Sequence, residues 1–308
     1  MNFSGKNKTD ENYSDLRSYH YGSQNWEIER LSPHIGAIIR GIDMRVPLSD
    51  TSKAELRELL LRHQVVFMRD QDLTPAQQRD FAGSFGTLHI HPVFPTVPDV
   101  PEAIVLDTQQ NDLKDNALWH TDVTFSETPP MGAVLMARKL PPTGGDTLWA
   151  SASAAYEALS PGMKASLENL TALHDFTRSF PLSRFGRTEE ERNGWMKTRN
   201  EHPPVEHPVI RIHPETGKRG LFVNEGFTTE ICGLEHDESQ ALLAFLFRHL
   251  ARPEFQVRWI WREGDVAFWD NRITQHYAVD NYRPHHRIMH RVTIMGDKPF
   301  GPSESAIS

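Results

Sequence analysis

Gln256-Val-Arg-Trp-Ile-Trp261 places Val257, Trp259 and Trp261 in alternation with Gln256, Arg258 and Ile260, the two-residue period of a β-strand with one buried face. Working outward, Val266–Trp269 and Arg287–Met295 read as further strands. So do the short apolar runs Val65–Met68, Ile104–Leu106, Ala117–Phe125 and Ala133–Ala137, which Pro, Gly and Asp clusters separate. Val209–His213 and Leu221–Asn224 flank Pro-Glu-Thr-Gly-Lys and read as a hairpin. Helical signals are fewer. Pro47 to Asp50 leads into Leu56, Leu59 and Leu60 at i, i+3, i+4 spacing. Thr74-Pro75 followed by Gln77 has the N-cap, N1 proline and capping-box glutamine of a helix start. Phe81 and Phe85 would then face the core, and Gly86 would end the helix. Residues 150–205 read as helical or irregular, and Asp237–Leu250 as a helix with a Leu and Phe stripe. The expected fold is mainly β with peripheral helices, a double-sheet sandwich or jelly roll.

The bulk properties narrow the class. At 308 residues the chain can bury a sizeable core. Residues 1–24 are polar and aperiodic and read as a flexible extension, 25–300 as one domain, and 301–308 as a flexible tail. A formal charge of −8 argues against nucleic acid or an anionic membrane as the main partner. The single cysteine, Cys232, excludes an intramolecular disulfide. The absence of a secretory signal and of an 18-residue apolar run completes the expectation of a soluble cytoplasmic protein without a membrane span.

With sixteen histidines, chance His-x-Asp/Glu triplets are expected, and there are three. His213-Pro-Glu215 lies at the hairpin turn and reads as solvated. His236-Asp-Glu238 sits at a helix start, where Asp237 and Glu238 suit the dipole without a metal. Only His120-Thr-Asp122 is embedded in apolar, strand-like sequence. On a strand, residues i and i+2 share a side, so an imidazole and a carboxylate would converge there. One more histidine would complete the two-His, one-carboxylate triad that leaves positions open on Fe(II). His276 follows a buried-looking strand and is a candidate. His174, His285, His286 and His290 compete on position, although His290 reads better as a packed or hydrogen-bonded residue.

Arg287 and Arg291 stand four apart and share a strand face. Two inward guanidinium groups are costly unless they bind anions, and two imply one anion for a co-substrate and one for a substrate. His89-Ile-His91 is a rival metal pair, which with His120 would suit a zinc hydrolase. A non-catalytic sandwich that binds an anion is the third reading.

These motifs resemble those of the Fe(II)- and 2-oxoglutarate-dependent taurine dioxygenase family over roughly residues 29–300. The likeness is carried by Arg62–Phe67, Leu88–Pro92, Trp119–Phe125, Gly144–Trp149, Phe222–Thr228, Trp269-Asp-Asn271 and Arg287–Arg291. The resemblance implies a double-stranded β-helix (jelly-roll) core, with His120, Asp122 and His276 as both the catalytic and the iron-ligating residues. It implies that Arg287 and Thr147 hold the distal carboxylate of 2-oxoglutarate, the co-substrate used with O2. Arg291, His91 and the backbone at Val123 would bind a sulfonate. Asp115 and Asn116 would meet the amine end of taurine, and Ser179, Phe180 and Phe227 would line the pocket. Phe94 departs from the pattern, standing where taurine-type members carry a tyrosine. The implied reaction hydroxylates taurine at the carbon bearing sulfur and releases sulfite and aminoacetaldehyde, with succinate and CO2. The alternative is oxidation of other alkanesulfonates or alkyl sulfate esters. Members of the family are commonly oligomeric, which implies a homo-oligomer (dimer or tetramer).

Overall fold

The computed structural model describes residues 16–90, 94–110 and 117–303. Its α-helices hold nearly as many residues as its strands, so the architecture is mixed α/β. The main element is a ten-stranded sheet. It runs from Ser18–Tyr21 through Trp26–Arg30, Ala37–Arg40, Val65–Met68, Val266–Asp270, Gly132–Lys139, Ile288–Ile294 and Val100–Asp107 to Thr96–Val97, with Leu88–His89 paired beside Ile288–Ile294. A three-stranded sheet, Gln256–Trp259, Thr147–Ser151, Thr274–Ala278, lies apart from it in hydrogen bonding.

This corrects the expectation of a mainly β chain with a double-stranded β-helix or jelly-roll core. Among the described residues no strand pairing closes the sheets into a barrel or gives a jelly-roll order. Most of the expected strands exist, but alternation marks a strand without naming its neighbours. The first three strands extend the large sheet, and Ala37 and Ile38 join Val66 and Phe67 in a parallel pairing. At the edge of that sheet Ser18–Tyr21 pairs with Trp26–Glu29.

Packing follows from two-sided strands. In Val65–Met68, Val66 and Met68 face a core built with Leu56, Leu59, Leu60 and Phe81 of the helices Asp50–His63 and Pro75–Gly83. Val65 and Phe67 face the other way, into a core shared with Trp149, Val257 and Trp259 of the three-stranded sheet. Phe67 stacks on Trp259 with centroids 4.1 Å apart. That second core lies between the sheets and forms the floor beside the candidate site.

Local signals held where the chemistry is local. Thr74 and Gln77 form the expected capping box, and His236–Leu250 is a helix with a capping box between Glu235 and Glu238. The helix expected to end at Gly86 stops at Gly83. Residues 150–205 contain the strand Thr171–His174 as well as helices. Among the described residues no helix is long and apolar enough to cross a membrane.

Candidate metal centre

Ala117–Phe125 is not a strand. His120 makes an isolated antiparallel bridge with His276, on Thr274–Ala278. The His120 N–H donates to His276 O at 3.0 Å, and the His276 N–H returns a bond to His120 O at 2.8 Å. Residues directly opposite in an antiparallel pair project to one face, so the two imidazoles meet, with centroids 4.1 Å apart. The chain then turns, and Val123 adopts φ 55°, the left-handed region that a β-branched residue rarely occupies. Asp122 enters the cluster from this turn. Its Oδ1 is 3.9 Å from His120 Nε2 and 3.8 Å from His276 Nε2. One ligand atom from each residue falls within 4.8 Å of the others.

Neighbours set the orientation of each group. His120 Nδ1 lies 2.8 Å from the Leu118 carbonyl, an acceptor. The ring proton therefore sits on Nδ1, and the Nε2 lone pair faces the cluster. Gly226 packs so closely that a Cβ there would lie 2.9 Å from His120 Cβ. Trp269 and Trp149 flank the His276 ring, with centroids 5.1 and 6.4 Å away. Behind the turn, Thr124 Oγ1 is bonded to His174 Nδ1 at 2.9 Å and to Asn224 Nδ2 at 3.1 Å. His207 Nε2 donates to the carbonyls of Thr124 and Ser126.

Electrostatics favour a deprotonated ligand set. Burial alone would raise the Asp122 carboxyl. The charge of Arg291 and the two histidines outweigh burial and hold it at about 2. Burial lowers His120, and burial together with His120 takes His276 to about 3. At neutral pH the cluster is thus two neutral imidazoles and one carboxylate. Among the described residues Asp122 Oδ2 is buried without a hydrogen-bond partner, an arrangement that is costly unless a cation satisfies it. The donor set fits Fe(II) with positions left open.

The other expected residues fall as follows. Arg291 Nη1 donates to Asp122 Oδ1 at 2.9 Å, and its Nε has no partner among the described residues. Arg287 is buried against Gly145 and Tyr282. Thr147 is buried, and its Oγ1 accepts from Trp261 Nε1 at 3.0 Å. Phe227 sits 6.4 Å from the His120 ring and touches Phe125 and Phe180. The Ser179 hydroxyl donates to Gly226 O at 2.6 Å. Phe94 packs against the core between the sheets. His91, Asp115 and Asn116 lie outside the described residues.

The rivals have other roles. His213, expected to be solvated, is 1% exposed, and its Nε2 lies 3.0 Å from Asp270 Oδ2. Glu215 pairs with Arg57 and Arg272. His290 accepts from Arg138 Nε, and His286 bonds Asp107. Among the described residues His120, Asp122 and His276 form the metal-capable cluster, and His89 is not part of it. Sequence reasoning gave no role at the site to Trp261, Asn224 or Asn271. Asn271 stood in a quoted motif, and its polar side chain next to a buried strand was the one available signal.

Residues 27–293 match the family described as taurine catabolism dioxygenase TauD, TfdA family. The chain is 37% identical to an alkylsulfatase of Acinetobacter baylyi, over 91% of this chain and 88% of that one. It is 38% identical to an alpha-ketoglutarate-dependent sulfate ester dioxygenase of Pseudomonas putida, over 89% and 91%. Its fold superimposes on a taurine dioxygenase from Burkholderia xenovorans with a TM-score of 0.78 and 38% identity, covering 90% and 92% of the two chains. It also superimposes on AAD-2 solved with Mn(II) and N-oxalylglycine, with a TM-score of 0.76 and 30% identity, covering 89% and 98%.

Proposed function

The chain belongs to the TauD/TfdA family of Fe(II)- and 2-oxoglutarate-dependent dioxygenases, and from that premise we propose that it oxidises alkyl sulfate esters or alkanesulfonates at the carbon bearing the sulfur group. Taurine, the substrate the resemblance first implied, is the weaker reading. The alkylsulfatase and sulfate ester dioxygenase relatives support the ester.

The observation that carries the reading is the pairing of Arg291 at the triad with an aromatic wall. The wall leads from His120 through Phe227 to Phe125 and Phe180. An anionic head group suits the guanidinium, and an alkyl tail suits the phenylalanines.

His120, Asp122 and His276 hold the metal. Arg287 and Thr147 anchor the distal carboxylate of 2-oxoglutarate, and Arg291 binds the sulfate or sulfonate. Bound iron with 2-oxoglutarate and O2 supplies hydroxylation of the target C–H bond, with succinate and CO2 as co-products. The chain's own contribution is to position that bond and to exclude water with its aromatic wall. A hydroxylated sulfate ester collapses to an aldehyde and sulfate, and a hydroxylated sulfonate to an aldehyde and sulfite. The test supplies Fe(II), 2-oxoglutarate and air with an alkyl sulfate, an alkanesulfonate or taurine, and measures sulfate, sulfite and succinate. Sulfate release from the ester that depends on 2-oxoglutarate is the expected result. Turnover of taurine in preference to both others would refute the choice of substrate.

A further inference from the structure

The bridge between His120 and His276 ends after a single pair, so the backbone of Asp122 has no strand neighbour. In a ladder, its N–H and C=O would each meet a peptide group. Asn271 supplies both. Its Oδ1 accepts the Asp122 N–H at 2.9 Å, and its Nδ2 donates to Asp122 C=O at 3.1 Å and to Pro130 C=O at 3.1 Å. A primary amide carries the same donor and acceptor pair as a peptide bond.

We propose that Asn271 is a positioning residue of the metal site, its side chain serving as a surrogate peptide that fixes the backbone of Asp122 and so aims the carboxylate at His120 and His276. Three observations support this role. Asn271 is 1% exposed, and its own N–H is tied to Met131 O at 2.8 Å, so the clamp is itself held. The next residue, Val123, is in the left-handed region, a conformation that persists only when its surroundings impose it. Finally, Arg291 already holds Asp122 Oδ1 at 2.9 Å. A slack turn would let the carboxylate follow the guanidinium away from the imidazoles. Thr121 Oγ1 donates to Thr274 O at 2.9 Å and secures the preceding residue, which leaves Asp122 as the point where Asn271 acts. The inference requires the metal triad but no choice of substrate.

Gln71 gives a matched control. Its buried side chain also makes three backbone bonds, from Met44 N and to Ile42 O and Arg69 O, at 3.0, 3.1 and 2.9 Å. Asn271→Ala and Gln71→Ala are compared by calorimetric titration with Mn(II) and by thermal melting. Both should melt earlier. Mn(II) affinity should fall about 10- to 100-fold in Asn271→Ala alone, the usual effect of losing an outer partner of a metal ligand. Asn271→Ser, which can keep at most part of the clamp, serves if the alanine variant does not fold, and should weaken Mn(II) binding in the same direction. Unchanged affinity in the Asn271 variants, or an equal loss in Gln71→Ala, overturns the proposal. A wild-type protein with no affinity for Mn(II) overturns the metal site itself.

Discussion

Replacing Arg287 by methionine should destabilise the complex with 2-oxoglutarate while stabilising the free protein. Arg287 is 6% exposed, and its Nε has no hydrogen-bond partner among the described residues. Asp146, whose charge it feels, is bonded instead to Arg258 Nε at 2.6 Å. Burial pulls the guanidinium below its ordinary range, yet arginine stays charged in proteins. A buried ion without an ion-pair partner costs several kcal/mol. The Tyr282 ring, 5.8 Å from Arg287 Cζ, returns only about 0.5–1 kcal/mol. Removing the charge should therefore raise the melting temperature of the metal-free protein. With the co-substrate present the sign reverses. Losing charge-assisted bonds to a carboxylate costs roughly 1.5–3 kcal/mol, or about 10- to 150-fold in affinity. The assay is titration of 2-oxoglutarate into each Mn(II)-loaded protein, with melting curves on the metal-free forms. An Arg287→Met variant that melts earlier and binds 2-oxoglutarate as the wild type does would make Arg287 a packing residue and refute the reasoning.

Three further outcomes follow from named contacts. Gly226→Ala puts a methyl 2.9 Å from His120 Cβ; it should weaken Mn(II) binding by titration, and unchanged affinity would show that the backbone yields without moving His120. Asp270→Ala strips Arg272 and His213 of a buried partner, so denaturant unfolding should show a loss of about 3–5 kcal/mol, whereas a loss under about 1 kcal/mol would make the network dispensable. Burial and the charges of Arg62, Arg30 and Lys218 lower His63 from 6.5 to about 3. Its folded form refuses a proton that the unfolded chain accepts, so its contribution is complete above about 6.5 and is lost as pH falls toward 3. His63→Gln should therefore lose about 1.3 kcal/mol less than wild type between pH 7.5 and 5.5 in denaturant titrations, and identical pH slopes would count against the assignment.

What was legible in the sequence follows the range of the interactions. The Thr74 and Gln77 capping box spans four residues and was read correctly. The strands Val266–Asp270 and Ile288–Ile294 announced themselves by their own side chains. Their neighbours in the sheet did not, because pairing is decided by residues far along the chain. The jelly-roll expectation failed for that reason. It is also why residue spacing could not choose among His174, His276, His285, His286 and His290, since the choice is made by a two-residue bridge across the fold. The strands at Ser18–Tyr21 and Trp26–Arg30 carry alternately buried Tyr19, Trp26 and Ile28, but their polar surroundings hid the pattern. The misreading of His213 and Glu215 is similar. A charged turn is usually solvated, but Arg57, from a helix 158 residues earlier in the chain, and Arg272 enclose this one.

The triplet His120-Thr-Asp122 shows how a correct result can rest on an incorrect route. Strand alternation predicted that the imidazole and carboxylate share a side, and they do. The structure reaches that arrangement through one bridge, a turn at a left-handed valine and a borrowed amide from Asn271. The difference has consequences. A strand would hold both ligands by its ladder, and no single distant side chain would be critical. A turn whose Asp122 backbone is held by two side-chain hydrogen bonds concentrates the geometry of the metal site in one residue 149 positions away. Sensitivity of metal affinity to Asn271, beyond its effect on stability, therefore distinguishes the two routes.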